Sequence, residues 1–348
     1  IYQKGQNCLL VEDVITSGKS LLETIAEVEN EDLKVSDIVV VLDREQGGKS
    51  LLENKGFNVH TLFTISEVCD MLRDERLLDD EEISRIKDFL AGNEVKFKEK
   101  KRRSYEQKLA LTEHSVSRKL LETALEKKSN LIASADVITT EELHRLAEKV
   151  GPHIVALKTH IDIITDFDFD KTIIPLRDIA EKHNFLIMED RKFADIGSTQ
   201  ELQYSYGIYK ISSWADLITS QVIGGYKSLD FFLNSGVVAI LSMSSKGTLT
   251  DQHYFEEALK VAQAHPSVIG GVSQKKIPEE MLLFTPGVSL KSNDDGKGQI
   301  YNTPEKVFGS LHTDFMIVGR GIYKSADQEM AALEYKIAGW NAYLDSLN

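Results

Sequence analysis

The most constraining feature of this sequence is a series of short apolar runs that recur between residues 104 and 348. The runs lack period-two alternation, are rich in β-branched residues and are separated by turns and amphipathic helical stretches. Strands that are buried on both faces have this pattern, and they occur in parallel sheets that helices cover. The runs begin at Leu131, Ile154, Phe185, Leu217, Val237, Val268, Leu282 and Phe315.

These eight runs predict an α/β fold whose parallel sheet closes into a (β/α)8 TIM barrel. The segment 104–348 has a length usual for this fold, about 250 residues. Helical stretches begin at Thr140 and Lys171, each after one of the runs. Such barrels carry their chemistry at the C-terminal ends of the strands, so the candidate functional residues are the polar ones that follow the runs.

The third run ends in MEDRKFADIG, which brings three charged side chains close together. Asp190 and Lys192 are two residues apart, and such side chains share a face in extended chain. Asp195 follows, and Lys158 ends the preceding run. Taken alone, the pattern also fits a surface ion-pair cluster. Converging on a buried site, two carboxylates and two ammonium groups would hold one another ionised and create a fixed electrostatic field.

The last run is followed by Gly319, Arg320 and Gly321, which predict a phosphate site. The glycines permit a close approach of backbone N–H groups, and the guanidinium offers two parallel donors. Gln299 and Tyr301 lie in a loop rich in Gly and Asn. That loop is expected either to fold over a ligand or to have no role.

A smaller unit, residues 1–92, precedes the barrel segment. Three apolar runs alternate with helical stretches, which predicts a parallel βαβαβ sheet. A helical apolar face spans residues 65–91, and Gly92 is positioned to end that helix. The runs begin near Cys8, Ile38 and Phe57, and the helical stretches between them begin near Ser20 and Lys49.

The first of these runs ends in Glu12 and Asp13, and the sequence TSGKS then opens a helix. The turn offers backbone N–H groups and hydroxyls at the positive end of a helix, where phosphates bind, and the acids suit vicinal sugar hydroxyls. An ordinary capped helix would give the same short sequence. The candidate phosphate-binding residues are Thr16, Ser17, Gly18, Lys19 and Ser20.

The composition limits the partners. A formal net charge of -14 over 348 residues argues against a general affinity for nucleic acid or for anionic membranes. No apolar run approaches the ~20 residues that span a bilayer. Cys8 and Cys69 have neither metal-site spacing nor a disulfide framework, so we expect a reducing, cytoplasmic location. The chain starts at Ile1 without a signal-peptide pattern, and we expect an upstream part to be missing.

A basic stretch separates the two units and predicts a linker over residues 93–103, with the barrel domain at 104–348. Six of the eight residues from Lys96 to Arg103 are basic. A nuclear signal or a site for an acidic partner would also be basic, but in a chain this acidic we favour a solvated linker.

Several segments of the barrel together resemble the orotidine 5'-monophosphate decarboxylase family, and DRKFADIG with KTH upstream is highly specific. The resemblance implies that Lys158, Asp190, Lys192 and Asp195 form a catalytic tetrad. It also implies a homodimer in which Asp195 reaches the neighbouring site. The segments are SADV, LKTHIDI, EDRKFADIG, TPGV, GQIYNTP and IVGRGI.

The same resemblance assigns residues to the substrate. Ser134 and Asp136 would meet the ribose and the base, and Ser273 the pyrimidine. His160 is interpreted as a packed or supporting residue. The substrate-binding residues that the resemblance implies are Ser134, Asp136, Ile196, Thr199, Ser273, Pro286, Gln299, Tyr301, Gly319 and Arg320.

The reaction that the family implies is decarboxylation of orotidine 5'-monophosphate to uridine 5'-monophosphate, a step of pyrimidine biosynthesis, without metal or cofactor. Loss of carbon dioxide from C6 leaves an electron pair that no adjacent carbonyl can spread, so the protein must stabilise it electrostatically. We expect the Lys192 ammonium to do so and then to protonate C6, with Asp190 near the departing carboxylate.

The first unit resembles the type I phosphoribosyltransferases, and its sequence DREQGGK resembles the orotate-side loop of orotate phosphoribosyltransferase. This implies that Glu12 and Asp13 hold the ribose, that residues 16–20 hold the 5-phosphate of phosphoribosyl diphosphate with its Mg²⁺, and that Arg44 approaches the base. The family's upstream half has no counterpart here, so we expect a partial domain whose transferase activity needs that half. In this order the two units resemble the bifunctional uridine monophosphate synthases.

Three other interpretations stay open. A phosphosugar decarboxylase or epimerase of the same barrel superfamily would share DxKxxD but would bind magnesium through an added acid near the position of Lys158. In a second interpretation, the first unit is an active transferase by itself. In a third interpretation, the barrel has no catalytic activity and serves as a scaffold. The presence of all four charged residues of the tetrad argues against this.

Overall fold

The structure, a computed structural model, divides into two compact units, residues 1–100 and residues 101–348. None of the helices in the described part of the chain combines the length and the apolar composition that a membrane crossing requires. The described residues are 3, 5–92, 102–232, 234–245, 247–290 and 302–347.

The first unit contains a three-stranded parallel sheet in the order β1-β2-β3, as the sequence predicts. The helical region after β3 is two helices rather than one continuous helix, and the second of them ends at Gly92. The strands are β1 (Asn7–Ile15), β2 (Lys34–Asp43) and β3 (Asn58–Thr64). The helices are α1 (Lys19–Asn30), α2 (Gly48–Asn54), α3 (Ile65–Asp74) and α4 (Asp80–Gly92).

One face of this sheet is covered and the other is open. Ile15, Ile38 and Val40 are buried in a small core under α1 and α2. Leu9 and Val11, on alternate positions of β1, are 58% and 67% exposed. A parallel sheet is normally covered on both faces, so the apolar residues on this open face are unusual.

The second unit is a closed barrel of eight parallel strands in the order β4-β5-β6-β7-β8-β9-β10-β11, which confirms the predicted fold class. Each strand lies within or directly beside one of the predicted apolar runs. The strands are β4 (Leu131–Ala135), β5 (Ala156–Thr159), β6 (Leu186–Phe193), β7 (Leu217–Gln221), β8 (Gly236–Ile240), β9 (Val268–Val272), β10 (Leu282–Pro286) and β11 (Phe315–Val318).

Helices surround the barrel, and their ends follow local sequence signals. In α7, residues Thr140–Val150, the Thr139 side chain caps the first turn by accepting a hydrogen bond from Glu142 N. Leu143, Leu146 and Val150 then recur on the face that packs on the sheet. The helices are α5 (Tyr105–Leu111), α6 (Ser115–Lys127), α7 (Thr140–Val150), α8 (Ile174–His183), α9 (Gly197–Glu201), α10 (Gln252–Ala264), α11 (Pro304–Gly309), α12 (Arg320–Tyr323) and α13 (Gln328–Asp345).

The last residues of the predicted linker pack against the segment that precedes β11. Residues 93–101 lie outside the described residues. Arg102 is buried, its guanidinium contacts the Thr313 carbonyl, and its Nη2 lies 3.2 Å from Oδ1 of Asp314. Lys108 Nζ lies 2.8 Å from the other oxygen of that carboxylate. Arg102 therefore packs as part of the barrel rather than as part of a solvated segment.

Candidate active site

The C-terminal ends of the barrel strands surround a cavity of about 620 Å³. Every one of the eight strands contributes at least one residue to its wall. Charged and hydroxyl side chains come from the early strands and apolar ones from the later strands. The lining residues within the strands are Ser134, Lys158, Met188, Asp190, Lys192, Thr219, Ile240, Val272, Pro286 and Ile317.

Two ammonium groups meet one carboxylate in this cavity. Asp190 Oδ2 lies 2.9 Å from Lys158 Nζ and 2.8 Å from Lys192 Nζ. The side chains of Lys158 and Asp190 are about one tenth exposed, and that of Lys192 is 32% exposed. The arrangement is therefore a mostly buried charge network and not a solvated surface cluster.

The second oxygen of Asp190 accepts a hydrogen bond from the Thr219 hydroxyl at 2.7 Å. Burial by itself would raise the pKa of Asp190, but the charges of Lys158 and Lys192 outweigh it and hold the pKa well below the ordinary value. Asp190 is thus ionised at neutral pH, and both of its oxygens have partners.

Lys192 reaches the cluster through an unusual backbone conformation. Its φ is 50°, in the left-handed region, and the pairing of β6 with β7 shifts register between Glu189 and Phe193. Lys192 N donates to the Thr219 hydroxyl at 3.0 Å. The two side chains converge as expected, but an irregularity at the strand end places them there, and not the regular alternation of an extended chain.

Asp136 and His160 complete the polar wall next to Lys158. Asp136 Oδ1 accepts a hydrogen bond from Ser134 Oγ at 2.6 Å and lies 3.7 Å from Lys158 Nζ. His160 Nε2 lies 2.8 Å from the same ammonium. Burial and the charge of Lys158 lower the pKa of His160, so its imidazole is neutral at neutral pH and can accept a hydrogen from Lys158. His160 therefore belongs to the cavity itself and is more than a packed residue.

Glu189 lies behind the cluster, fully buried. Its carboxyl accepts a hydrogen bond from the Thr159 hydroxyl at 2.6 Å and from Ile161 N at 3.2 Å. These two partners flank His160 in the chain. Burial raises the pKa of Glu189 to about 8, against the effect of these hydrogen bonds. Glu189 thus holds the backbone N–H that follows His160 and the side chain that precedes it.

Gly319, Arg320 and Gly321, where the sequence predicts a phosphate site, line the same cavity. They follow β11 directly and begin α12. Gly287 and Ser289, after β10, face the same space. The predicted contacts Gln299 and Tyr301 lie outside the described residues.

Four other predicted site residues do not line this cavity. Asp195 and Ile196 are exposed, Ile196 to 66%, and Asp195 Oδ1 accepts a hydrogen bond from Ile196 N. Thr199 is half-buried nearby. Ser273 is fully buried, and its hydroxyl contacts the Lys275 backbone. The roles of these residues stay predictions.

In the first unit, the turns after β1 and β2 lie against each other. Gly48 N donates to the Thr16 carbonyl at 2.9 Å, and Arg44 N donates to the Ile15 carbonyl at 3.0 Å. Gly18, with φ 73°, precedes α1, and among the described residues no side chain caps that helix. The helix start therefore presents backbone N–H groups beside the turn that contains Arg44.

Glu12 is half-buried and Asp13 is exposed within β1, which extends to Ile15. Asp13 Oδ1 accepts a hydrogen bond from Val14 N. Adjacent residues of a strand face opposite sides, so the two acids do not share one face. Within the described residues, no group of three or more His, Cys, Asp or Glu side chains has the arrangement of a metal site.

Family models match both units. The model for the orotidine 5'-phosphate decarboxylase / HUMPS family matches residues 129–335, and the phosphoribosyl transferase domain model matches residues 1–67.

Individual relatives match over the same regions. The uridine 5'-monophosphate synthase of Bos taurus is 40% identical over 365 residues, which cover 99% of this chain and 76% of the relative. The synthase of Naegleria gruberi is 39% identical over 99% of this chain and 75% of its own length. The orotidine 5'-phosphate decarboxylase of Candida glabrata is 43% identical over 69% of this chain and 97% of its own. The matches to the synthases run through both units in the predicted order.

Proposed function

The chain belongs to the orotidine 5'-phosphate decarboxylase family, and from this premise we propose that its barrel converts orotidine 5'-monophosphate to uridine 5'-monophosphate. One observation carries the proposal: the paired ammonium of Lys192 and the guanidinium-bearing Arg320 line the same cavity. A nucleotide spanning the cavity would place its phosphate at one end and its pyrimidine at the other.

The charges of the cavity suit this substrate. Lys158, Lys192 and Arg320 supply three cationic groups, against the carboxylates of Asp136 and Asp190. The substrate carries a phosphate and a carboxylate, so a net positive wall attracts it. The network also fixes the positions of the charged groups before the substrate binds, which avoids reorganisation during the reaction.

The proposed chemical step uses Lys192. The bond between C6 and the carboxylate breaks, carbon dioxide leaves, and the electron pair stays on C6. The ammonium beside C6 stabilises this developing charge, then gives its proton to C6 and regains one from solvent. Because the lysine supplies the charge, the proposed step needs neither a metal nor a cofactor.

Asp190 holds the two ammonium groups in place. Its carboxylate is ionised and bonded on both oxygens, so it orients Lys158 and Lys192 together. We place it near the departing carboxylate of the substrate. His160 contacts Lys158 and would help to fix the position of its ammonium group. Glu189 would in turn fix the chain next to His160.

Substrate contacts follow from the same placement. Ser134 and Asp136 would meet the ribose, and Arg320 with the N–H groups after Gly319 would hold the phosphate. We propose that six further residues, which the family resemblance implies, also contact the substrate. These are Ile196, Thr199, Ser273, Pro286, Gln299 and Tyr301.

We also propose a homodimer in which Asp195 completes the neighbouring site. Asp195 is exposed and does not reach its own cavity. The exposed apolar side chains of Ile196 and Ile223 lie on adjoining loops, since a Cβ on Gly224 would lie 3.1 Å from the Asp195 carbonyl. Such a patch beside a functional carboxylate fits a subunit interface.

For the first unit we propose binding of phosphoribosyl diphosphate at the start of α1, with Arg44 near the orotate. Residues 16–20 would hold the 5-phosphate. Glu12 or Asp13 would meet the ribose hydroxyls, and Mg²⁺ would be held chiefly by the diphosphate oxygens. The thiols of Cys8 and Cys69 are free, which fits our proposal of a cytoplasmic enzyme.

The test of the barrel's function is a direct assay. The purified chain with orotidine 5'-monophosphate and excess EDTA should deplete the substrate's absorbance and release one carbon dioxide per uridine 5'-monophosphate. A magnesium-dependent epimerase or decarboxylase of the same superfamily would lose activity under EDTA. An inactive scaffold would release no carbon dioxide under any condition. Either result would contradict the proposal.

A further inference from the structure

Tyr335 connects two walls of the cavity at its proposed phosphate end. It lies on α13, is 5% exposed, and lines the cavity beside Ser289 and Gly321. Its hydroxyl accepts a hydrogen bond from Leu290 N at 3.3 Å. Ser289 and Leu290 follow β10, whereas Gly321 follows β11, so the tyrosine touches segments that come from two different strands.

Backbone contacts also hold the first of these segments. Val288 pairs with Asn302, Ser289 N donates to the Asn302 carbonyl at 3.0 Å, and Asn302 N donates to the Gly287 carbonyl at 2.9 Å. The Tyr335 hydroxyl extends this set of contacts by one residue, to Leu290.

The second segment approaches Tyr335 so closely that it needs a glycine. A Cβ on Gly321 would collide with the Tyr335 hydroxyl and would lie 3.0 Å from the ring carbon Cζ. Gly321 directly follows Arg320. Because the hydroxyl packs on the backbone of this turn, it limits the positions that the turn, and with it the guanidinium, can take.

We infer that Tyr335 is a positioning residue for the nucleotide phosphate, which sets the phosphate-binding turn against the segment after β10. The inference rests on the proposed function and deepens it. Tyr335 would not touch the charge network around Lys192, so its removal should change nucleotide affinity more than the chemical step.

The test compares uridine 5'-monophosphate with uridine, which lacks the phosphate. Tyr335→Phe should weaken binding of the nucleotide roughly two- to tenfold, the range expected for one hydrogen bond, and leave the nucleoside unchanged. The KM for orotidine 5'-monophosphate should rise, with kcat nearly constant. Equal weakening of both ligands, or no weakening of either, would overturn the inference.

Tyr343→Phe is the matched control. Tyr343 is also buried on α13 and its hydroxyl also accepts a backbone hydrogen bond, from Tyr105 N, but it does not line the cavity. This variant should lose stability and keep its nucleotide affinity. If Tyr343→Phe weakened nucleotide binding as much as Tyr335→Phe does, the loss would reflect general stability, and the inference would be wrong.

Gly321→Ala gives an independent test that retains Tyr335. The added Cβ should displace the turn and produce the same phosphate-specific loss. The double variant Gly321→Ala, Tyr335→Phe should recover part of that loss, because the colliding oxygen is gone. Strictly additive losses would contradict the inference. A wild-type chain that bound the nucleotide no better than uridine would instead contradict the proposed function itself.

Discussion

The Nζ of Lys192 lies 2.8 Å from Oδ2 of Asp190, inside the cavity at the C-terminal end of the barrel. The same oxygen lies 2.9 Å from Nζ of Lys158. Breaking such a buried pair leaves an uncompensated charge, so the members of this network depend on one another.

Thr219→Val should lower kcat about tenfold or more while changing nucleotide affinity little. The valine keeps the shape but removes the hydroxyl that donates to Asp190 and accepts from Lys192 N, which leaves buried polar groups unpaired. Thr219→Ser retains the hydroxyl and is the control. Steady-state kinetics of both variants would check this. A valine variant with the kcat of wild type would show that the hydroxyl does not orient the network.

Arg320→Ala should weaken the affinity for uridine 5'-monophosphate about 10- to 100-fold, because a charge-assisted hydrogen bond to the phosphate is lost. The affinity for uridine should stay the same. Arg145→Ala, an exposed arginine on α7, is the control and should change neither affinity. Calorimetric titrations with both ligands give the comparison. Equal losses for the two ligands would place the phosphate elsewhere.

The stability of the barrel should depend on pH through Glu189. Its pKa is raised from 4.5 to about 8 in the folded protein, so between these values the folded state binds more protons than the unfolded one. This contribution to the free energy of unfolding is complete below the unfolded pKa, and it falls as pH rises through the folded pKa. The loss should be on the order of a few kcal/mol.

Urea unfolding at several pH values measures the slope of the free energy of unfolding against pH. Glu189→Gln should flatten the slope over the same window, because the amide does not titrate. Glu141→Gln, an exposed acid on α7, should retain it. An unchanged slope in the Glu189 variant would mean that other groups dominate the pH dependence.

Mixing two inactive variants should restore activity if Asp195 serves the neighbouring site. Asp195→Asn and Lys192→Ala each damage every site of a homodimer. After subunit exchange, half of the dimers are mixed and each has one intact site, so activity should recover to about a quarter of wild type. Two samples of the same variant mixed together are the control. A mixture that stays inactive would rule out the shared site.

The barrel could be predicted from the sequence because the pattern of a doubly buried strand is repeated eight times. Runs such as Leu131 to Ala135 and Phe315 to Val318 are buried on both faces, and eight of them with helices between leave few alternatives to a closed parallel sheet. The ends of α7 could be predicted closely because Thr139 and the apolar spacing both mark them.

The details of the site depended on information that the sequence does not carry. β7 contains three consecutive polar residues, Thr219, Ser220 and Gln221, and only the register against β6 decides that Thr219 faces the cavity while Ser220 contacts the Phe193 carbonyl. A one-residue shift would exchange them.

The irregular backbone of β6 and the contacts between distant parts of the chain could not be predicted from the sequence either. The left-handed conformation of Lys192 follows from no local pattern, since a lysine rarely adopts it. Tyr335 is far from the strand ends in sequence and reaches the cavity from the last helix. His160 and Glu189 are close in sequence to the predicted catalytic residues Lys158 and Asp190. Their own contacts form only when β5 and β6 pair.

The most direct test of the central claim is the rate of carbon dioxide release by Lys192→Ala, measured in a single turnover beside its affinity for uridine 5'-monophosphate. We predict a rate lower by roughly 10,000-fold or more, with the fold intact and the affinity within about tenfold of wild type, since the variant loses both the charge and the proton donor. Lys149→Ala, an exposed lysine on α7, should match wild type. Carbon dioxide release by Lys192→Ala within about tenfold of the wild-type rate would contradict the account.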